Sequence, residues 1–119
     1  MSLFLLFEIF RKEADYHGFS NFYTIKMSFE EFLNSIETGH VPENIRLKAL
    51  YYDALGNWEL AHDLINEFSG KDADRIHAYL HRKEGDLWNA RYWYHRIGME
   101  VPDHSLDEEW ENLVRQFLH

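Results

Sequence analysis

His77 and His81 stand four residues apart, the spacing that sets two imidazoles on one face of an α-helix, where both can ligate a transition metal such as zinc. Glu84 follows on a neighbouring face and Asp86 just beyond it. His62 and His95 lie on segments that come near if the chain folds as helical pairs. The pattern is not His-Glu-x-x-His, so the general base of the zincin metalloproteases is missing. Two ligands do not complete a site, and histidines at this spacing also serve as packed, hydrogen-bonded interior. The expectation is no cofactor, with zinc or another transition metal on His77 and His81 as the alternative.

The carboxylates point away from catalysis. Asn57 and Asp86 each follow a turn glycine at the start of a helical stretch, where free amides want a side-chain oxygen, so both read as caps. Glu84 and Asp86 form an acidic pair, but nothing beside them supplies the apolar surroundings that would raise one for general acid work. No Gly-x-Ser-x-Gly context activates a serine, and the chain has no cysteine for a thiolate nucleophile. The expectation is that no residue is catalytic.

A binding role rests on other side chains. Tyr79, Trp88, Tyr92, Trp93 and Tyr94 crowd one stretch. Tyr92 and Trp93, being adjacent, point about 100° apart on a helix and cannot share one buried seam; one of them should reach a surface, an interface or a groove. Arg46, Arg75 and Arg82 suit a concave face that grips a carboxylate, or else pair with Glu43, Asp53 or Asp72 on their own helices. The candidate set for a ligand or partner is His77, Tyr79, His81, Arg82, Glu84, Tyr92, Trp93 and Arg96. Asp107, Glu108 and Glu109 read as first-turn acids that favour a helix dipole.

The elements that must hold these residues are helical. Ser28-Phe29-Glu30-Glu31 is a capping box, and Phe29, Phe32, Leu33 and Ile36 follow one helical face up to Gly39. Pro42 suits the first turn of a second helix that runs to about Leu55. Gly56 and Asn57 open a third helix, with Trp58, Ala61, Leu64, Ile65 and Phe68 on its apolar stripe. Ser69-Gly70 breaks the chain before a helix from about Asp72 to Lys83; Gly85-Asp86 then leads into another that ends near Ile97.

Gly56-Asn57-Trp58-Glu59-Leu60-Ala61 aligns with Gly85-Asp86-Leu87-Trp88-Asn89-Ala90, a repeat of glycine, cap and small alanine every 29 residues. A second capping box, Ser105-Leu106-Asp107-Glu108, starts a last helix with Leu106, Trp110, Leu113, Val114, Phe117 and Leu118 on its stripe. No stretch alternates with period two between hairpin turns, so no sheet is expected. The fold class is all-α: two antiparallel helical hairpins in a tetratricopeptide-like stack, with flanking N- and C-terminal helices.

Residues 1–26 read as an N-terminal extension to a hairpin domain over residues 27–119. The extension combines a short apolar helix with the turn-rich stretch Tyr16 to Tyr23. The apolar run from Leu3 to Phe10 lacks a basic lead and a small-x-small cleavage site and contains Glu8, which argues against a signal peptide; it is also too short to span a bilayer. Met27, directly before the first capping box, is one candidate for the native start, and a docked N-terminal helix is the other reading.

The second hairpin resembles a tetratricopeptide-type repeat: Gly85-Asp86 at the turn, Ala90 at the small position, Tyr94 at the aromatic position and Pro102 near the end. The first helix of each hairpin departs from that pattern, Ile65 replaces the aromatic in the first copy, and the period is shorter than the family's roughly 34 residues. Ala90-Arg91-Tyr92-Trp93-Tyr94 is also similar to a segment of Sel1-like repeats. From Ala49 to about Trp110 the chain resembles a family of short, uncharacterised bacterial proteins, through His77 to Asp86 and Asn89 to Arg96. That resemblance implies a helical fold and a bacterial origin, and it carries no activity to any residue.

A net charge of -9 opposes a phosphate backbone, so nucleic acid is not an expected partner. Apolar residues make up 45% of the chain and aromatics 17%, enough large side chains to fill a core. Absent cysteine fits a reducing compartment, so the expected place is the cytoplasm, away from a membrane. The function expected from all this is a small protein–protein interaction module of helical-repeat type that binds a protein partner or a second copy of itself. The alternative is a metal- or small-ligand-binding protein centred on the second hairpin.

Overall fold

The structure, a computed structural model, describes residues 27–118. The extension over residues 1–26, with the apolar helix expected in it, lies outside the described residues. Six helices follow in order: α1 (Phe29–Thr38), α2 (Ile45–Ala54), α3 (Trp58–Asn66), α4 (Lys71–Glu84), α5 (Leu87–Arg96) and α6 (Leu106–Phe117). The described residues contain no strand.

Local chemistry sets the ends of these helices. Ser28 Oγ accepts the Glu31 amide at 3.1 Å, and Ser105 Oγ accepts that of Glu108 at 3.1 Å, as the two capping boxes require. The start of α2 differs from the sequence expectation. Pro42 lies before the helix, and Asn44 is the cap: its Oδ1 accepts the amides of Arg46 at 2.9 Å and Leu47 at 3.4 Å. A side-chain acceptor for orphan amides outweighs the preset φ of proline in choosing where the helix begins.

The 29-residue repeat is a repeat of geometry. Gly56 and Gly85 adopt φ of 83° and 88°, a left-handed conformation that a side chain disfavours. Asn57 Oδ1 takes the Leu60 amide at 3.2 Å, and Asp86 Oδ1 takes the Asn89 amide at 3.2 Å. Ala61 and Ala90 are both fully buried, each on the second helix of its hairpin. The result is two antiparallel hairpins, α2 with α3 and α4 with α5, stacked through α3 and α4.

The C-terminal helix α6 lies across α2 and α4, the first helices of the two hairpins. Phe32, Leu50, Ile65, Ile76, Leu80, Leu113 and Val114, from these helices with α1 and α3, belong to one buried core. Each such side chain contributes roughly 1.5–3 kcal/mol on burial. Trp110 ties three helices together: its ring centroid lies 6.1 Å from that of Phe29 and 5.9 Å from that of Phe32, and its Nε1–H donates to the Leu50 carbonyl at 3.0 Å.

Glu109 is not a solvated first-turn acid. It is fully buried, and its carboxylate accepts from Arg75 at 2.5 Å, from Arg82 at 2.7 Å and from the hydroxyl of Tyr94. Two guanidinium partners and a hydroxyl satisfy the charge that burial would otherwise penalise heavily. Arg75 and Arg82 therefore do grip a carboxylate, but one from their own chain. Arg46 pairs with Asp72 at 2.9 Å, without hydrogen-bond alignment. No helix of the described chain is long and apolar enough to cross a membrane.

Candidate functional site

The most unusual chemistry sits where the two hairpins meet. α3 contributes His62, and α4 contributes His77 and His81 one turn apart. Pairwise, the three ring centroids are 4.7 Å (His62–His77), 5.2 Å (His62–His81) and 4.9 Å (His77–His81) apart. Nε2 of His62 is 2.9 Å from Nε2 of His77, a hydrogen bond in which one ring must donate and the other accept. One nitrogen from each of the three rings lies within 4.8 Å of the others.

Two tryptophans wall this group. Trp58 stacks on His62 at 4.9 Å and 9°, and its Nε1–H donates to the Leu80 carbonyl at 2.7 Å, which fixes α3 on α4. Trp93, from α5, stacks on His77 at 4.0 Å and 11°. Nδ1 of His81 is 2.7 Å from Glu84 Oε1, so Nδ1–H donates to the carboxylate, which orients the ring. Burial, with neighbouring His62 and His81, pushes the pKa of His77 down to about 4. Burial and His81 lower that of His62, against the opposing pull of Asp63 and Glu84. Both rings are thus neutral at pH 7.

The remaining predicted residues separate into three environments. Tyr79 is buried, with its hydroxyl on Asp53 at 2.7 Å, and burial beside that carboxylate raises its pKa well above the ordinary value. Lys83 closes the same network on Asp53 at 2.8 Å. Arg82 is taken up by Glu109 and by the His104 carbonyl at 2.6 Å. Tyr79 and Arg82 therefore brace the stack. His77, His81, Glu84 and Trp93 gather in the imidazole group, while Tyr92 and Arg96 lie on the outer face of α5.

Tyr92 and Trp93 part as their 100° separation requires. Trp93 turns inward onto His77, and Tyr92 is 48% exposed. Arg96 steadies the outer ring, with Nη1 donating to the Tyr92 hydroxyl at 3.3 Å and Nε donating to Asp74 at 3.3 Å. Trp88, one turn before Tyr92, is 77% exposed, and Leu87 beside it is half exposed.

Comparison with family models, with curated proteins and with solved structures finds no match.

His62, Trp58 and Trp88 were absent from the sequence-derived set. Trp58 and His62 carry a signal of the same kind as His77 and His81, an i, i+4 pair on one helical face, and the two pairs meet across the hairpin junction. A surface depression of about 330 Å³ lined by Ile45, Arg46, Ile65, Phe68 and Asp72 takes in Arg46 of the three candidate arginines and none of the imidazole group.

Proposed function

We propose that this protein is a small protein–protein interaction module of helical-repeat type, which docks an acidic partner segment on the outer face of α5. The observation that carries this reading is Trp88, a large aromatic side chain left 77% exposed on α5. Tyr92 follows it on the same strip at i+4, with Arg91 and His95 exposed alongside. Tryptophan, tyrosine and arginine are the side chains that most often dominate binding energy, because they combine apolar area with a directional donor.

Charge selects the class of partner. The ten residues Leu87–Arg96 include Arg91 and Arg96 and no acid, within a chain whose net charge is -9. Arg91 has no ion pair among the described residues, so its five donors are available to a carboxylate. Arg96, already engaged by Asp74, preorganises Tyr92 for contact. The opposite face of the stack is unsuited to this role, since α6 covers α2 and α4 and its Glu109 occupies Arg75 and Arg82.

Site-specific photo-crosslinking in cells that make the protein naturally tests the reading. A benzophenone side chain at position 88 should capture one product whose crosslinked peptide is rich in Asp and Glu. Arg91→Glu should diminish that product at least tenfold. A product no stronger than from a benzophenone at exposed position 59, or one formed only with a second copy of this acidic chain, would overturn the proposal.

A further inference from the structure

The geometry points to a transition-metal site formed by His62, His77 and His81, with zinc as the ion of best fit, at the junction of the two hairpins. Nothing in the proposed docking role requires it. Three imidazoles from two helices bring one nitrogen each to within 4.8 Å of the others. Nitrogens bound to zinc at 2.0–2.1 Å with tetrahedral angles are about 3.3–3.4 Å apart, so the His62–His77 contact of 2.9 Å needs to open by only about half an ångström.

The surroundings match what such a site needs. Glu84 holds Nδ1 of His81, the outer carboxylate that commonly orients a metal-bound imidazole and makes it more basic. Trp58 and Trp93 pack flat against His62 and His77, restricting ring rotation and limiting water. His62 is the most exposed of the three, with 22% of its side chain accessible, so solvent and an ion reach the group from that side. The donor set is nitrogen alone, which suits zinc, nickel and copper and not magnesium or calcium.

The group is hard to account for as packing alone. His62 and His77 share one hydrogen bond, and His81 is held by Glu84, yet three rings of like type converge where apolar side chains would avoid the desolvation of polar nitrogens. An ion between them converts mutual repulsion on protonation into shared coordination, and it joins α3 of one hairpin to α4 of the next.

The test uses tag-free full-length protein stripped with a chelator and titrated with zinc sulfate at pH 7.5, with magnesium chloride as the comparison salt. One equivalent of zinc should bind and raise the melting temperature by about 5 °C or more at saturation, while magnesium leaves it unchanged. Imidazole NMR signals of His62, His77 and His81 in the unaltered protein should shift on zinc addition, and those of His40, His95 and His104 should not. His62→Ala and His77→Ala should abolish the one-equivalent binding, and Glu84→Gln should weaken it about 10- to 100-fold. Absence of stoichiometric binding, or zinc-dependent shifts confined to the other histidines, would overturn the site. Unchanged affinity in Glu84→Gln would overturn the role given to that carboxylate.

Discussion

Nε2 of His62 and Nε2 of His77 lie 2.9 Å apart, so their contact survives only while one nitrogen carries a proton and the other offers its lone pair. Acid that charges both rings sets two donors against each other beside His81, with Trp93 on one side and Trp58 on the other.

That relationship gives the metal-free protein a defined pH dependence. The unfolded chain takes up a proton on His77 near the ordinary value of 6.5, whereas the folded chain resists until about 4. The unfolded state therefore binds more protons in this window, and stability is full above about pH 6.5 and falls as the pH drops toward 4. His77 accounts for about 2–3 kcal/mol of that fall, and His62 adds to it in the same direction. Urea unfolding in chelator at half-unit pH steps checks this. His77→Gln should flatten the slope between pH 6.5 and 4.5, and a variant with the wild-type slope would contradict it.

Glu109 is the charge on which α6 is seated. Glu109→Ala leaves Arg75 and Arg82 without their shared counterion, and removing one partner of a buried pair destabilises by about 3–5 kcal/mol. Glu109→Gln should lose less, because it keeps the shape and an acceptor for Tyr94. Equal stability of all three proteins in urea would show that α6 is held by its apolar stripe alone.

The two hairpin caps should behave alike. Asn57→Ala and Asp86→Ala each remove one acceptor at 3.2 Å from an amide three residues on, and each should lower stability by about 1 kcal/mol. Chemical denaturation of the two single variants is sufficient, and a loss at only one position would mean that the shared frame is not energetically equivalent.

Trp88 and Trp110 should separate binding from folding. Trp88→Ala alters a surface side chain and should change stability by less than about 0.5 kcal/mol. Trp110→Ala empties the contact with Phe29, Phe32 and the Leu50 carbonyl and should cost about 3–5 kcal/mol. A marked loss of melting temperature in Trp88→Ala would place that ring in the fold and remove it from the docking strip.

The helices, most of their ends and the 29-residue repeat were legible in the chain itself, because each depends on interactions within a few residues; the start of α2 at Asn44 was not. A serine, asparagine or aspartate beside free amides, a glycine at positive φ and an apolar stripe at helical spacing are local devices. The His77–His81 pair was visible for the same reason. Whether His62 joins it was not, because the face that α3 turns toward α4 depends on packing across residues 67–70 and on the Trp58 hydrogen bond to Leu80.

Glu109 makes the same point about charge. In sequence it is one of three consecutive acids at a helix start, alike in type and setting. Only the tertiary structure brings Arg75, 34 residues earlier, and Arg82, 27 residues earlier, onto that one carboxylate. Helical periodicity is a property of neighbouring residues, whereas burial and partner choice belong to helices that meet only once the chain has folded.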